Sequence, residues 1–223
     1  DNMRVFTKRN AIRILMTSAL IYFIVQGCVL VLKVNEKLYP QVKQMAVIEA
    51  SNAASMVIRK AVSTIDIQPS ECMELTRDET GEIIEINYNT TCMNQIMSEC
   101  LEAAQSSLDA ASLGKMDPNT HMIYYGGGII YSVHAGYFTG IALLSQVGPQ
   151  IDVHMKIVSA CSGELQVKST PYGINCTLLE IDLVITTQLL VLTPFLMTQT
   201  PVECRIPLVI QIVQGKIPDY IIN

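Results

Sequence analysis

The longest apolar stretch of the chain is residues 14–32, ILMTSALIYFIVQGCVLVL, nineteen positions without a charge. A helix of that length spans about 28 Å at 1.5 Å per residue, close to the hydrocarbon thickness of a bilayer. Its polar members are Thr17, Ser18 and Gln26. Thr and Ser can bond back to the helix, so the glutamine is the main cost. A core helix this long with no charged face is unusual, and the pattern predicts a transmembrane helix over 14–32. The run leads into Lys33-Val34-Asn35-Glu36-Lys37 with no A-x-A-like site, which favours an uncleaved anchor over a signal peptide.

Beyond it the period changes. Ala46, Ala50, Ala53, Ala54, Val57, Ile58 and Ala61 recur at three- and four-residue spacing, predicting a helix over 38–64. Pro40 suits its first turn, where a missing N–H costs nothing. The small residues permit close packing, first against the chain's own domain and secondarily against a partner helix. A hairpin pattern follows: a strand over 73–77, a turn at Asp78-Glu79-Thr80-Gly81, and a strand over 82–88. Asn89-Thr90-Thr91 offers N-caps for a second helix over 91–111. Its apolar face is Met93, Ile96, Met97, Cys100, Leu101 and Leu108.

Residues 112–147 follow neither period. Gly114 and Asp117-Pro118-Asn119 break the helix, and Gly126-Gly127-Gly128 lies among Tyr124, Tyr125, Ile129, Ile130 and Tyr131. A phosphate loop would need a Lys-Ser/Thr after its glycines; none follows, so the triple glycine reads as a turn or bulge. The last third alternates with period two. Ile151, Val153, Met155 and Ile157 make one strand, and Ser162-Gly163 reads as a turn into a strand over 164–168. Leu179, Ile181, Leu183 and Ile185 begin a strand that runs on toward Leu192, and Val202 to Ile212 form another. One polar face per strand argues for an antiparallel sheet covered on one side. Pro207 marks its strand as an edge or a bulge.

These elements predict an α+β fold: an N-terminal transmembrane helix, and two further helices packed on a mostly antiparallel sheet. The expected divisions are a basic segment 1–13, the anchor 14–32, and a body 33–223. The body divides into a helix–hairpin–helix part, 33–135, and a β-rich part, 136–223.

Composition sharpens this. Half of the 223 residues are hydrophobic and only 16% are charged, well below the usual quarter. Arg4, Lys8, Arg9 and Arg13 against Asp1 give residues 1–13 a balance of +3, leaving −8 for the rest of a chain of net −5. Basic residues before the anchor keep the N-terminus cytoplasmic and the body extracytoplasmic. An acidic body without Arg/Lys clusters argues against nucleic acid as a partner. The chain opens on Asp1 rather than Met, so native residues are expected upstream.

Seven cysteines are present, and no pair has Cys-x-x-Cys spacing. The body is large enough to fold without staples, so free buried thiols are the main expectation, with Cys161–Cys176 the first disulfide to test. His121, His134 and His154 make no i, i+4 pair and no H-E-x-x-H; each reads as a surface residue. No G-x-S-x-G elbow occurs, and nothing orients Cys161 toward His154 as a nucleophile–base pair would require. Glu180 and Asp182 share one strand face, about 7 Å apart. That spacing suits a glycosidase or a metal, and equally a solvated strand face. No catalytic residue, cofactor or metal is expected.

The C-terminal third resembles the YunB-type sporulation proteins of endospore-forming bacteria. The landmarks are Gly148-Pro149 opening a strand, Tyr172-Gly173-Ile174-Asn175-Cys176-Thr177, Pro201-Val202-Glu203-Cys204, and Gly215-Lys216-Ile217-Pro218-Asp219-Tyr220. Residues 78–83, Asn89 and Met93-Asn94 resemble the family's hairpin and helix start. The basic start, single anchor and adjoining helix also match, so the resemblance covers nearly the whole chain. Cys176 stands where the family usually has Gln, and Leu179 where it usually has His; residues 124–128 depart from its Ile-Pro-Leu-Gly. Those departures favour a structural role for the motif: Gly173 for a tight turn, Asn175 bonding its own backbone. Gly148, Pro149, Gly173, Ile174, Asn175, Thr177, Gly215, Pro218 and Tyr220 are thus motif positions with no assigned role.

The resemblance implies a single-pass membrane protein required for spore formation, in the mother-cell membrane facing the forespore. Its expected partners are the membrane and other spore-envelope proteins or further copies of itself. A non-enzymatic assembly or scaffold role is the first reading. The order helix–strand–strand–helix–strand loosely resembles the ring-building modules of secretion and sporulation channels, as fold-level analogy only. A peptidoglycan-remodelling enzyme, or the activator of one, is the alternative. A pilin-like subunit ranks last, because no prepilin-type cleavage sequence is present.

Overall fold

The computed structural model describes residues 16, 21, 22, 26, 39–66, 72–77, 83–173 and 176–214. Met16, Ile21, Tyr22 and Gln26 are helical. The rest of the 14–32 run, and so most of the expected transmembrane helix, lies outside the described residues, as does the basic segment 1–13. Among the described residues no helix is long and apolar enough to cross a membrane.

Helix α1 covers residues 39–62. Ala46, Ala50, Ala54, Val57, Ile58 and Ala61 are fully buried, so the small-residue stripe is the face that approaches the sheet. Strands β1 (Met73–Arg77) and β2 (Ile83–Tyr88) form their own two-stranded antiparallel sheet, with Met73 opposite Tyr88. The predicted turn 78–81 lies outside the described residues. Helix α2 (Thr90–Ser112) starts where expected: the Asn89 side chain accepts from the amides of Thr91 and Cys92, satisfying two donors that the first turn leaves open.

The second sheet has five strands: β3 (Ile129–His134), β4 (Gln150–Ile157), β5 (Ser162–Tyr172), β6 (Cys176–Thr193) and β7 (Leu196–Gln214). Strand β6 is its spine. It pairs along its whole length with β7; on its other side it pairs first with β5, over 176–186, then with β4, over 189–192. Strand β3 extends the sheet beyond β4. Pro207 is accommodated in both of the expected ways: β7 pairs with β6 alone among the described strands, and the register shifts where Pro207 faces Asp182.

Two expectations are corrected. Ser162 and Gly163 are not a turn but the first residues of β5, paired with Thr186 and Ile185. Glycine serves there because Leu101 of α2 packs about 3.1 Å from where a Cβ would stand. The bridge is also not Cys161–Cys176. Cys161 precedes β5 and Cys176 pairs with Tyr172 at its far end, about 33 Å away by strand rise. The disulfide joins Cys72 to Cys92, with Cα atoms 5.6 Å apart, within the usual range. The hairpin returns residue 88 beside residue 73, and the first turn of α2 then carries Cys92 over Cys72.

Both helices cover one face of the large sheet, as anticipated. Ala46, Val57, Cys100, Leu108, Val153, Leu183, Leu189 and Val202 share a single buried cluster. Each fully buried aliphatic side chain there contributes about 1.5–3 kcal/mol. The triple glycine is a tight turn entering β3, with positive φ at Gly127 and Gly128. A Cβ on Gly128 would stand 2.5 Å from the Ser112 carbonyl oxygen. The segment after β3 doubles back through two short helical turns, Ala135–Thr139 and Ala142–Leu144. It is closed by the Gly136 amide donating to Val147 O at 2.9 Å.

Candidate functional site

The acidic pair lies on the exposed face of β6, as its alternation requires. Each carboxylate has a cation. Lys168 stands opposite Glu180 in the β5–β6 register, with Nζ 3.6 Å from Oε2. Arg205 on β7 places Nη1 3.9 Å from Asp182 and donates to Gln166 Oε1 at 3.1 Å. Such exposed pairs are worth about 0–1 kcal/mol each. The arrangement is a cross-strand charge ladder, with the carboxylates turned toward cations rather than toward each other.

The thiols are built for packing. Burial pushes the Cys100 thiol up to about 11, with Glu99 adding to it. Burial likewise raises Cys161 and Cys204. A protonated, desolvated thiol is a poor nucleophile. His154 is half-buried rather than a free surface residue: its Nδ1 lies 3.1 Å from Gly128 O, tying β4 to the glycine turn.

A shallow groove of about 240 Å³ opens where β2, α2 and β5–β6 meet, lined by Tyr88, Met93, Asn94, Leu165, Val167 and Ile181. It is mostly apolar and smaller than the usual small-molecule pocket. The Tyr88 hydroxyl is buried without a hydrogen-bond partner among the described residues, and burial raises its pKa. Alternation along 82–88 carried no sign of this, because Tyr88 packs with Met93 of α2 and with Leu165 and Ile181 of the large sheet, which lie far along the chain.

A buried polar cluster around Asp117 was not read from the sequence beyond its helix-breaking residues. Asp117 is fully buried. Its Oδ1 accepts from Ser107 Oγ at 2.7 Å and from the Asn119 amide at 3.1 Å; its Oδ2 accepts from Thr120 Oγ1 at 2.6 Å. Asn119 Nδ2 donates to Ala103 O and to the hydroxyls of Ser106 and Ser107. Burial alone would raise the Asp117 pKa, but the donated hydrogen bonds outweigh it and hold the carboxyl below its ordinary value. Every donor is a neutral group of α2 or of the loop itself. Chemically the cluster is a clasp that fastens residues 117–124 to α2. Asp-x-Asn followed by Thr, after a helix carrying Ser106-Ser107, was its legible signal.

The family-motif positions fall at two places. Gly148 has φ 99°, and Pro149 O accepts from Ala135 N at 2.9 Å, extending the β3–β4 pairing past its end. Gly173, φ 74°, occupies the β5–β6 turn, while Thr177 pairs with Pro171 and Val213. These two groups lie toward opposite ends of the sheet. Ile174, Asn175, Gly215, Pro218 and Tyr220 lie outside the described residues. Gln214, the last described residue, pairs with Cys176, so the chain leaves β7 beside the Gly173 turn. Among the described residues no group of His, Cys, Asp and Glu is placed to hold a metal ion.

Residues 130–220 match the family model described as Sporulation protein YunB. The chain is 26% identical over 221 residues to Sporulation protein YunB of Bacillus subtilis (strain 168), covering 96% of this chain and 85% of that protein. The resemblance to this family is thereby borne out, over the β-rich part by the family model and over nearly the whole length by the relative. No solved structure matches.

Proposed function

We propose that this YunB-type chain is a membrane-anchored sporulation protein with a non-enzymatic assembly or scaffold role at the membrane surrounding the forespore. The observation that carries the reading is how α1 joins the N-terminal run to the core. Only six residues separate position 32 from helical residue 39, and from Val42 onward one face of the helix is buried in the core. An anchor joined through so short a segment keeps the body close to the bilayer.

Other features support it. The N-terminal charge balance orients the body outward, and a structural disulfide suits the oxidising side of a membrane. Strand β7 offers a long outer edge with Ile210 and Ile212 exposed, a template for strand addition by another copy. The carboxylates best suited to an envelope-remodelling enzyme are engaged in ion pairs.

The test combines genetics and crosslinking. Deletion of the gene should lower the yield of heat-resistant spores. A Glu180→Gln/Asp182→Asn variant should restore that yield, and crosslinking in sporulating cells should capture further copies or envelope proteins. A folded double variant that fails to restore spores would favour the enzymatic alternative and sink this reading.

A further inference from the structure

The body has a polarised outline. The register places His154 opposite Leu192, so the β6–β7 tip around Phe195 ends level with Ile151 at the start of β4. The loop 135–149 leaves and re-enters the sheet at that same end, because His134 faces Gln150. The first turns of α1 arrive there too: Val42 is buried with Val133 and Ile151, and Phe138 packs on them. Three chain segments therefore converge at one end of the sheet.

That end is mostly apolar. Residues 135–151 carry no Asp, Glu, Lys or Arg, and neither do residues 183–202. Large side chains point outward: Leu143 is 91% exposed and Met197 68%, with Tyr137, Ile141, Val147 and Phe195 all at least half exposed. The described charges at its margin include Lys43, exposed on α1, Asp152, bonded to Ser132, and Lys156, which pairs with Leu190. The charge ladder of Glu180 and Asp182 lies toward the other end, with Asp182 about 33 Å from Leu192 by strand rise. Exposed apolar side chains gathered at one end, on stretches of chain that carry no charge, mark a contact surface.

The chain itself indicates what covers it. Residues 33–38, between the apolar run and α1, reach at most about 20 Å fully extended. If the run spans the bilayer, the first turn of α1, with Phe138 against it, is held within that distance of the lipid surface. Tyrosine and phenylalanine beside exposed leucine and isoleucine are the side chains that enter the headgroup boundary.

We infer that loop 135–149 and the β6–β7 tip are a second membrane contact, dipping into the outer-leaflet interface and fixing the orientation of the body against the bilayer. This rests on the anchor reading above.

The chain has no tryptophan, so single tryptophans introduced into the full chain report depth without background. The probe is the full chain reconstituted in phosphatidylcholine–phosphatidylglycerol vesicles with acyl chains brominated at shallow or deep positions. Leu143→Trp should be quenched by shallow bromines, consistent with a depth of about 5–10 Å. Phe23→Trp, within the apolar run, should be quenched by deep bromines. Tyr172→Trp, at the far turn, should be quenched by neither and reached by aqueous iodide. Quenched Phe23→Trp with an iodide-accessible Leu143→Trp overturns the second contact while the anchor stands. A Leu143→Trp shielded from iodide yet untouched by bromine overturns it in favour of a protein cover. An unquenched Phe23→Trp refutes the anchor, and quenching of Leu143→Trp then still supports the loop.

Discussion

Replacing Cys72 and Cys92 together with alanine should loosen one corner of the molecule while the main sheet stands. The bridge spans a sequence separation of 20. A loop of that length costs the unfolded chain about 3 kcal/mol of closure free energy when crosslinked, by the chain-entropy relation. For a body of this size that corresponds to about 6–12 °C in Tm. The closed loop contains β1, β2 and the Asn89 cap, and a two-stranded hairpin is marginal by itself. Its other tie is the small cluster in which Cys72 packs with Met93, Ile181 and Val209, and the substitution thins that cluster as well. The loss should therefore be local first. In hydrogen exchange on the detergent-solubilised full chain, amides of β1 and β2 should exchange faster in the variant, while those of β6 follow only the global change. Guanidinium unfolding should show the drop of about 3 kcal/mol. A peptide map of the oxidised protein linking Cys161 to Cys176, or an unfolding midpoint unmoved by the double substitution, would refute the reasoning.

Asp117→Ala should cost about 3 kcal/mol in the same unfolding assay, since hydrogen bonds to a charged group are worth about 1.5–3 kcal/mol each and two hydroxyls can reorient. The folded-state pKa of Asp117 is lowered, so its contribution is present above the unfolded value of about 3.9 and is lost as pH falls through the folded one. Unfolding titrations should show a stability difference between wild type and Asp117→Asn that is level above about pH 5 and shrinks in acid; a difference that grows in acid would contradict the clasp. Tyr88→Phe should be neutral or stabilising by up to about 1 kcal/mol, because it deletes a buried hydroxyl with no partner among the described residues. Marked destabilisation by thermal melting would mean that the hydroxyl is engaged.

Much of this architecture was legible in the residues. Alanines at helical spacing marked the buried face of α1, Asn89-Thr90-Thr91 bracketed the start of α2, and alternation marked β4, β6 and β7. Pro207 announced an edge or a bulge, and among the described strands β7 shows both. These features are local: period, cap chemistry and the missing N–H of proline act within a few residues, so one dimension suffices to see them. The comparison between Cys72–Cys92 and Cys161–Cys176 marks the limit. Fifteen residues separate the latter pair, yet a long hairpin carries them to opposite ends; twenty separate the former, and a short hairpin brings them together.

The same holds for the candidate sites. Sequence alone put Glu180 and Asp182 on one face, but the β5 and β7 registers decided that Lys168 and Arg205 would stand beside them. It marked Asp117-Pro118-Asn119 as a helix break, but only the folded chain set Ser107 and Thr120 around a buried carboxylate. Uncharged stretches at 135–151 and 183–202 could be counted in one dimension. Their meeting at the end where α1 begins came from strand pairing, because antiparallel register converts distance along the chain into position in space, and that conversion is a property of the whole sheet.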